Sequence, residues 1–259
     1  MDIVDVRTER VDGSVGGLAG IKAIALTRDP DIVFTSNEVG TVAAVDVAHR
    51  KIVKELTVGG SPDAIDYVTL DDLIVVALSS VNQVALIDAT GQKVVATVAI
   101  PGSPELMAID QQAGTIYLAI HDKDEVVVID PETRSIPTIL KGCDIKQPTG
   151  LAYDPEQGRL FVSDAGAELS IIDVVLDRCL GAVDIGHGTD QITFNAHRHH
   201  VYTADGGSSY VSVVDSVSMK PLGVVGSAPS ASTIATDPTT DMVYVAVKRT
   251  DLIAVYHDP

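Results

Sequence analysis

Three carboxylates (Asp63, Glu105 and Asp190) and one lysine (Lys22) occupy equivalent positions in a repeating chain, with Thr149 and Ser232 completing the set. Each stands where an innermost strand is expected to begin, so together they predict a ring at the mouth of an axial channel. A second aligned set closes the strand that follows: Asn37, Leu78, Ile120, Asp164, Asp205 and Val247. The neighbouring loops add His121 beside Glu105 and His187 ahead of Asp190. Carboxylates gathered on one axis repel unless one is protonated or a cation joins them. The oxygen donors Asp63, Glu105, Asp190, Asp205 and Asn37 suit a hard divalent ion, Ca²⁺ first and then Mg²⁺. If His121 or His187 takes part, the set suits Zn²⁺, Mn²⁺ or Fe²⁺ instead. Such an ion would polarise a carbonyl or activate water, with Glu105, His121, His187 and Asp190 as the candidates for handling protons. Lys22 pointing inward would neutralise the acids from within and weaken the metal reading. The competing reading makes them solvated loop carboxylates on an acidic protein.

A repeat positions these residues. An apolar run ending in Asp recurs as VAAVD (Val42–Asp46), VALID (Val84–Asp88), VVVID (Val126–Asp130), LSIID (Leu169–Asp173) and VSVVD (Val211–Asp215). A sixth, LIAVY (Leu252–Tyr256), keeps the hydrophobics and ends in Tyr256; the closing residues step by 42, 42, 43, 42 and 41. A period of that length marks stacked units, none of which buries its apolar faces alone. Each unit divides into four strands, in the second unit Asp63–Val68, Leu73–Leu78, Val84–Asp88 and Lys93–Val98. Gly114 and Gly158 sit in hairpin turns that call for positive φ. The recurrent Asp suits a turn, accepting backbone N–H groups two residues on. Four short antiparallel strands per unit make a propeller blade. The expectation is an all-β, six-bladed β-propeller with four antiparallel strands per blade, one domain over residues 1–259. The N-terminal strand, within Ile3–Val11, is expected to complete the last blade and so close the ring.

Composition narrows the function classes. A net charge of −18 disfavours nucleic-acid backbones and anionic membranes. No run approaches the roughly 20 apolar residues of a membrane span, so no membrane insertion is expected. The opening MDIVDVRTER has no signal-peptide pattern; the compartment is periplasmic or extracellular if a signal has been removed, and cytoplasmic otherwise. The blade geometry puts Cys143 and Cys179 at opposite ends of the propeller, so two free thiols are expected. HRHH (His197–His200) falls in a turn on the opposite face and reads as a polar turn. There is no G-x-S-x-G, H-E-x-x-H, Walker A or C-x-x-C motif, which removes the commonest hydrolase, nucleotide and redox signatures.

The second strands carry the tetrads FTSN (Phe34–Asn37), VVAL (Val75–Leu78), YLAI (Tyr117–Ile120), FVSD (Phe161–Asp164), YTAD (Tyr202–Asp205) and YVAV (Tyr244–Val247). With the following V-I-D strand and the Asp-Pro turns at Asp154 and Asp237, the chain resembles the YVTN family of β-propeller repeats, kin of the NHL type. The resemblance implies fold and blade packing, since such propellers host many functions. A likeness to metal-dependent lactonases of the gluconolactonase type rests on architecture alone and carries over no residue.

Two functions fit these residues. The first is a non-catalytic monomeric scaffold that binds a small molecule, a divalent cation or a protein partner at the acidic axial face. The second is a metal-dependent hydrolase or lyase of lactonase type acting on a lactone or related ester.

Overall fold

The apolar phrases form middle strands covered on both sides, which is why they read as continuous runs and not as alternation. A computed structural model describes residues 1–90, 92–140, 142–227, 229–250 and 252–258. Twenty-five strands follow one another among them. A hairpin comes first, β1 (Asp2–Asp5) and β2 (Arg10–Ser14). Then come β3 (Ile21–Leu26), β4 (Ile32–Asn37), β5 (Thr41–Asp46) and β6 (Lys51–Thr57). The next sheet holds β7 (Pro62–Val68), β8 (Leu73–Leu78), β9 (Gln83–Asp88) and β10 (Lys93–Ala99). The third holds β11 (Pro104–Asp110), β12 (Thr115–Ile120), β13 (Glu125–Asp130) and β14 (Ser135–Leu140). After it run β15 (Leu151–Asp154), β16 (Arg159–Ser163), β17 (Glu168–Asp173) and β18 (Arg178–Asp184). The fifth is β19 (Thr189–Asn195), β20 (His200–Asp205), β21 (Tyr210–Asp215) and β22 (Lys220–Gly226). The last is β23 (Ala231–Asp237), β24 (Met242–Val247) and β25 (Leu252–His257). Every sheet runs in sequence order: the hairpin with two strands, then five sheets with four and the last with three. These are the sheets of an all-β, six-bladed β-propeller.

The chain divides into two compact units. The first comprises Met1–Glu105, Gln111–Ile116 and Ile129–Pro137; the second comprises Leu106–Asp110, Tyr117–Val128 and Thr138–Pro259. In the first unit Phe34, Val42, Ile65, Tyr67, Ile74 and Leu78 pack as one core. In the second, Leu140, Ile145, Leu160 and Ile172 form one cluster and Phe161, Ile171, Ile192 and Val201 another.

The recurrent Asp does what a turn needs. Asp46 accepts from the His49 N–H at 2.8 Å, Asp88 from Thr90 at 2.9 Å, Asp130 from Glu132 at 2.9 Å and Asp173 from Leu176 at 2.9 Å. Arg50, Gln92, Arg134, Asp177 and Met219, each one residue before an outer strand, take the left-handed conformation, with φ between 47° and 58°. Gly114 and Gly158 meet the same demand, at φ 71° and 63°, in the turns between first and second strands.

Three sequence expectations are corrected. The N-terminal segment does not complete the last sheet, because among the described residues β1 and β2 pair with each other. The hairpin repeats the outer half of a blade. Asp5 stands across from Arg10 with a register shift between Ile3 and Val4, as Asp46 stands across from Lys51 with a shift between Ala44 and Val45. Asp5 caps its turn through Arg7 at 2.8 Å, and Glu9 takes φ 55°. MDIVD is thus a further copy of the repeated phrase, and it packs Met1 and Ile3 on Val33, Ala43 and Val45.

Second, the last copy ends one residue later than its letters suggest. His257 stands across from Met242 as Asp215 does from His200, so His257, and not Tyr256, takes the place of the Asp.

Third, Cys143 and Cys179 form a disulfide, with Cα atoms 5.1 Å apart. The segment after β14 does not run straight to the next sheet. A 3₁₀ turn at Gly142–Asp144, with Cys143 at φ 64° and Asp144 at φ 52°, folds it back. Ile145 anchors this segment in the core at 2 % exposure.

Candidate functional site

In the first unit the start of β3, the end of β4 and the start of β7 meet around a cavity of about 220 Å³, lined by Lys22, Glu38, Ser61, Pro62, Asp63 and Ser79. Lys22 Nζ lies 3.1 Å from Glu38 Oε1. The Glu38 carboxylate and, more weakly, Asp63 raise the Lys22 ammonium above the ordinary lysine range. Lys22 therefore does answer the acids of its neighbourhood. The scaffold below is hydrogen-bonded: Ser36 Oγ donates to the Asp63 carbonyl at 2.5 Å and accepts from the Ala23 N–H at 3.1 Å. Ser79 donates both its N–H, at 3.0 Å, and its hydroxyl, at 3.2 Å, to the Ser61 carbonyl. Gly20, at φ 61°, leaves room for Glu38, whose Oε2 would lie 2.6 Å from an added Cβ.

Further along β7, Asp66 is partly buried and its carboxyl is pushed up to about 6 by desolvation, which the Tyr67 N–H only partly offsets. Asn37 is buried and its amide group is engaged. Its Oδ1 accepts from Thr35 Oγ1 at 3.1 Å and its amide donates to Thr41 Oγ1 at 3.3 Å. Glu105 is the second residue of β11, partly buried, at the end of this unit's main segment.

In the second unit Asp190 Oδ2 lies 3.3 Å from Lys248 Nζ, both side chains exposed. Asp205 is fully buried and its oxygens are committed. Oδ1 accepts from Thr189 Oγ1 at 2.6 Å, and Oδ2 from Ser212 Oγ at 2.5 Å, the Ser212 N–H at 3.2 Å and the Gly186 N–H at 3.2 Å. Asp164 plays the same part, taking the N–H groups of Gly166 at 2.9 Å and Glu168 at 3.1 Å. The polar residue closing these second strands is a clamp on the loops above it. His187 is exposed and its N–H donates to Ser208 Oγ at 2.9 Å. His121 Nδ1 is enclosed without a hydrogen-bond partner among the described residues. Also among them, no group of three or more His, Cys, Asp or Glu side chains is placed to hold a metal ion.

Glu38 and Lys248 escaped the sequence reading, although a signal was present. Both belong to the column directly after the second strands (Glu38, Ser79, His121, Ala165, Gly206, Lys248), and their charges answer Lys22 and Asp190.

HRHH is the polar turn expected, and it also anchors the last sheet and the residues after it. His197 Nδ1 lies 2.9 Å from Asp241 Oδ1, Arg198 Nε donates to Asp241 Oδ2 at 2.9 Å and Asn195 to Oδ1 at 3.1 Å. His200 Nδ1 lies 2.6 Å from Asp258 Oδ2, and the Tyr202 hydroxyl donates to the same carboxylate. Burial first, and then this carboxylate, raises the Tyr202 hydroxyl far above the tyrosine range.

No protein-family model and no curated protein matches the chain. The likeness to YVTN and NHL repeats therefore stands on the tetrads, the V-I-D strands and the Asp-Pro turns alone.

Proposed function

We propose that the protein is a non-catalytic β-propeller scaffold that binds a small zwitterion in the Lys22–Glu38–Asp63 cavity. The observation that carries this is the convergence of one ammonium, two carboxylates and two serines on about 220 Å³. That volume is below the usual range for drug-sized ligands, about 300–1,000 Å³, which favours an occupant the size of an amino acid. Both charge signs are presented, so a ligand with an amine and a carboxylate exchanges with the Lys22–Glu38 pair without leaving either uncompensated. The disulfide supports maturation in an oxidising compartment, periplasmic or extracellular.

Calorimetric titration with a panel of α-amino acids tests the reading. At least one should bind with a single site, and Asp63→Asn and Lys22→Met should each weaken it about tenfold, roughly 1.4 kcal/mol. No binding across the panel, or binding indifferent to both changes, sinks it.

The metal-assisted lactonase reading draws on His121, whose enclosed Nδ1 has no partner among the described residues. Ca²⁺, Mg²⁺, Mn²⁺ and Zn²⁺ added to chelator-stripped protein separate the two. An ion present at 100 times its Kd stabilises by about 2.7 kcal/mol. A rise abolished by His121→Ala, together with lactone hydrolysis that depends on the same ion, would move the weight to the enzyme.

A further inference from the structure

We propose that the occupant of the Lys22–Glu38–Asp63 cavity is an α-amino acid with an aliphatic side chain, held by its charged ends and selected by contact with Val39 and Val81. This selectivity rests on the zwitterion reading of the same cavity and adds the chemistry of the side chain. Apart from Pro62 the lining is polar, with one ammonium, two carboxylates and two serines. Such a lining offers partners to an amine and a carboxylate. An apolar chain gains nothing among desolvated charges, so a side chain that adds affinity must lie on the rim.

That rim is apolar where the two neighbouring turns form it. Val39 directly follows Glu38 in the turn between β4 and β5, and Val81 stands two residues after Ser79 in the turn between β8 and β9. They are 62 % and 46 % exposed. The linker Val58–Ser61 touches both turns and fixes their places. The Val58 N–H donates to the Gly40 carbonyl at 3.1 Å, and a Cβ added at Gly40 would lie 3.4 Å from the Gly60 carbonyl. Cγ2 of Val81 lies over Gly60, 2.8 Å from where a Cβ would stand. Gly60 directly precedes Ser61 of the lining, so its missing side chain is what admits Val81 to within one residue of the cavity.

Single exposed valines are ordinary on a protein surface; position sets these two apart. Six turns join a second strand to a third, and the other four read HDKD (His121–Asp124), DAGA (Asp164–Ala167), GGSS (Gly206–Ser209) and KRTD (Lys248–Asp251). None of those four holds Val, Leu or Ile. Only the two turns beside the cavity do. Neither valine belongs to the core cluster of this unit, so packing gives no reason for an apolar residue at either place. An aliphatic chain laid against them takes apolar surface of both partners out of water.

Calorimetric titration with glycine, alanine, serine, valine, leucine and methionine decides it. Leucine and methionine should bind about tenfold more tightly than alanine, and serine no better than alanine. Leucine should also show the more negative heat-capacity change, the mark of apolar surface leaving water. Val39→Ser combined with Val81→Ser should leave leucine no better than alanine, with circular dichroism confirming an unaltered fold. Lys22→Met should instead weaken leucine and alanine alike. If leucine and alanine bind equally, or if the double variant keeps the leucine preference, the selectivity is overturned while the zwitterion site stands. If none of the six binds, the site itself is lost and the selectivity with it.

Discussion

A carboxylate at the end of a strand either waits for a ligand or holds the loops beside it, and its hydrogen bonds decide which. Asp205 holds. With four donors on its two oxygens and no exposure, it works like a bound anion inside the protein. Asp205→Ala should cost about 3–5 kcal/mol, because it strips a buried charge from its donors and leaves them unpaired. The loss should appear in urea unfolding and be the same with and without divalent ions; an ion-dependent loss would restore Asp205 as a ligand. A smaller effect of opposite sign belongs to Asp177, exposed at φ 47° before β18. L-residues pay about 1–2 kcal/mol there and glycine does not, while glycine's greater freedom in the unfolded chain takes back part of the gain. Asp177→Gly should therefore stabilise by about 0.5–1 kcal/mol in the same assay. An unchanged or lower midpoint would mean that its side chain contributes to the turn.

At the scale of elements, the Cys143–Cys179 bridge closes a separation of 36 residues. The chain-entropy argument gives about 3–4 kcal/mol for a loop of that length. Reduction with a dithiol, or Cys179→Ser, should lower stability by that order and loosen residues 142–148, seen as faster exchange of their amides. No change in either would make the bond incidental. The bridge also marks where sequence reasoning runs out. Strand order, the four-strand unit and the Asp turns were legible because they repeat and because each has a local cause, an apolar run or an Asx turn. The disulfide was not, because it depends on two left-handed residues, Cys143 and Asp144, that break the repeat at one linker. The hairpin β1–β2 was legible only in part. MDIVD carries the phrase, but its first residue is Met and its outer strand holds Gly13, so strand content was visible while the pairing partner was not. For the site, Lys22 and Asp63 are legible from their column; Glu38 and Lys248 lie in the next one, from which the sequence singles out His121 alone.

At the scale of the whole chain, charge decides how stability moves with pH. The cap carboxylates Asp46 and Asp130 sit below the ordinary range, held there chiefly by backbone and side-chain donors in their turns. A carboxyl lowered on folding lends stability that is present above its unfolded value, about 3.9, and is lost as pH falls through the folded one. Asp66 runs the other way. Desolvation holds it near 6, so the folded state retains a proton that the unfolded chain gives up near 3.9, and stability falls as pH rises from about 4 to about 6. Self-repulsion adds to this slope, since the charge reaches −18 at pH 7 with a pI of about 4.5 and like charges oppose the compact state. The three effects place the stability maximum close to the pI of about 4.5, below the neutral values common for proteins. Urea midpoints between pH 4 and 8 should decline from about pH 4.5 upward, and about 0.5 M salt should flatten the part due to repulsion while leaving that due to Asp66. Asp66→Asn should remove the remainder, gaining on the order of 1–3 kcal/mol at pH 7 and little at pH 4. If the variant tracks the wild type at every pH, Asp66 is solvated well enough to ionise normally, and the slope belongs to net charge alone.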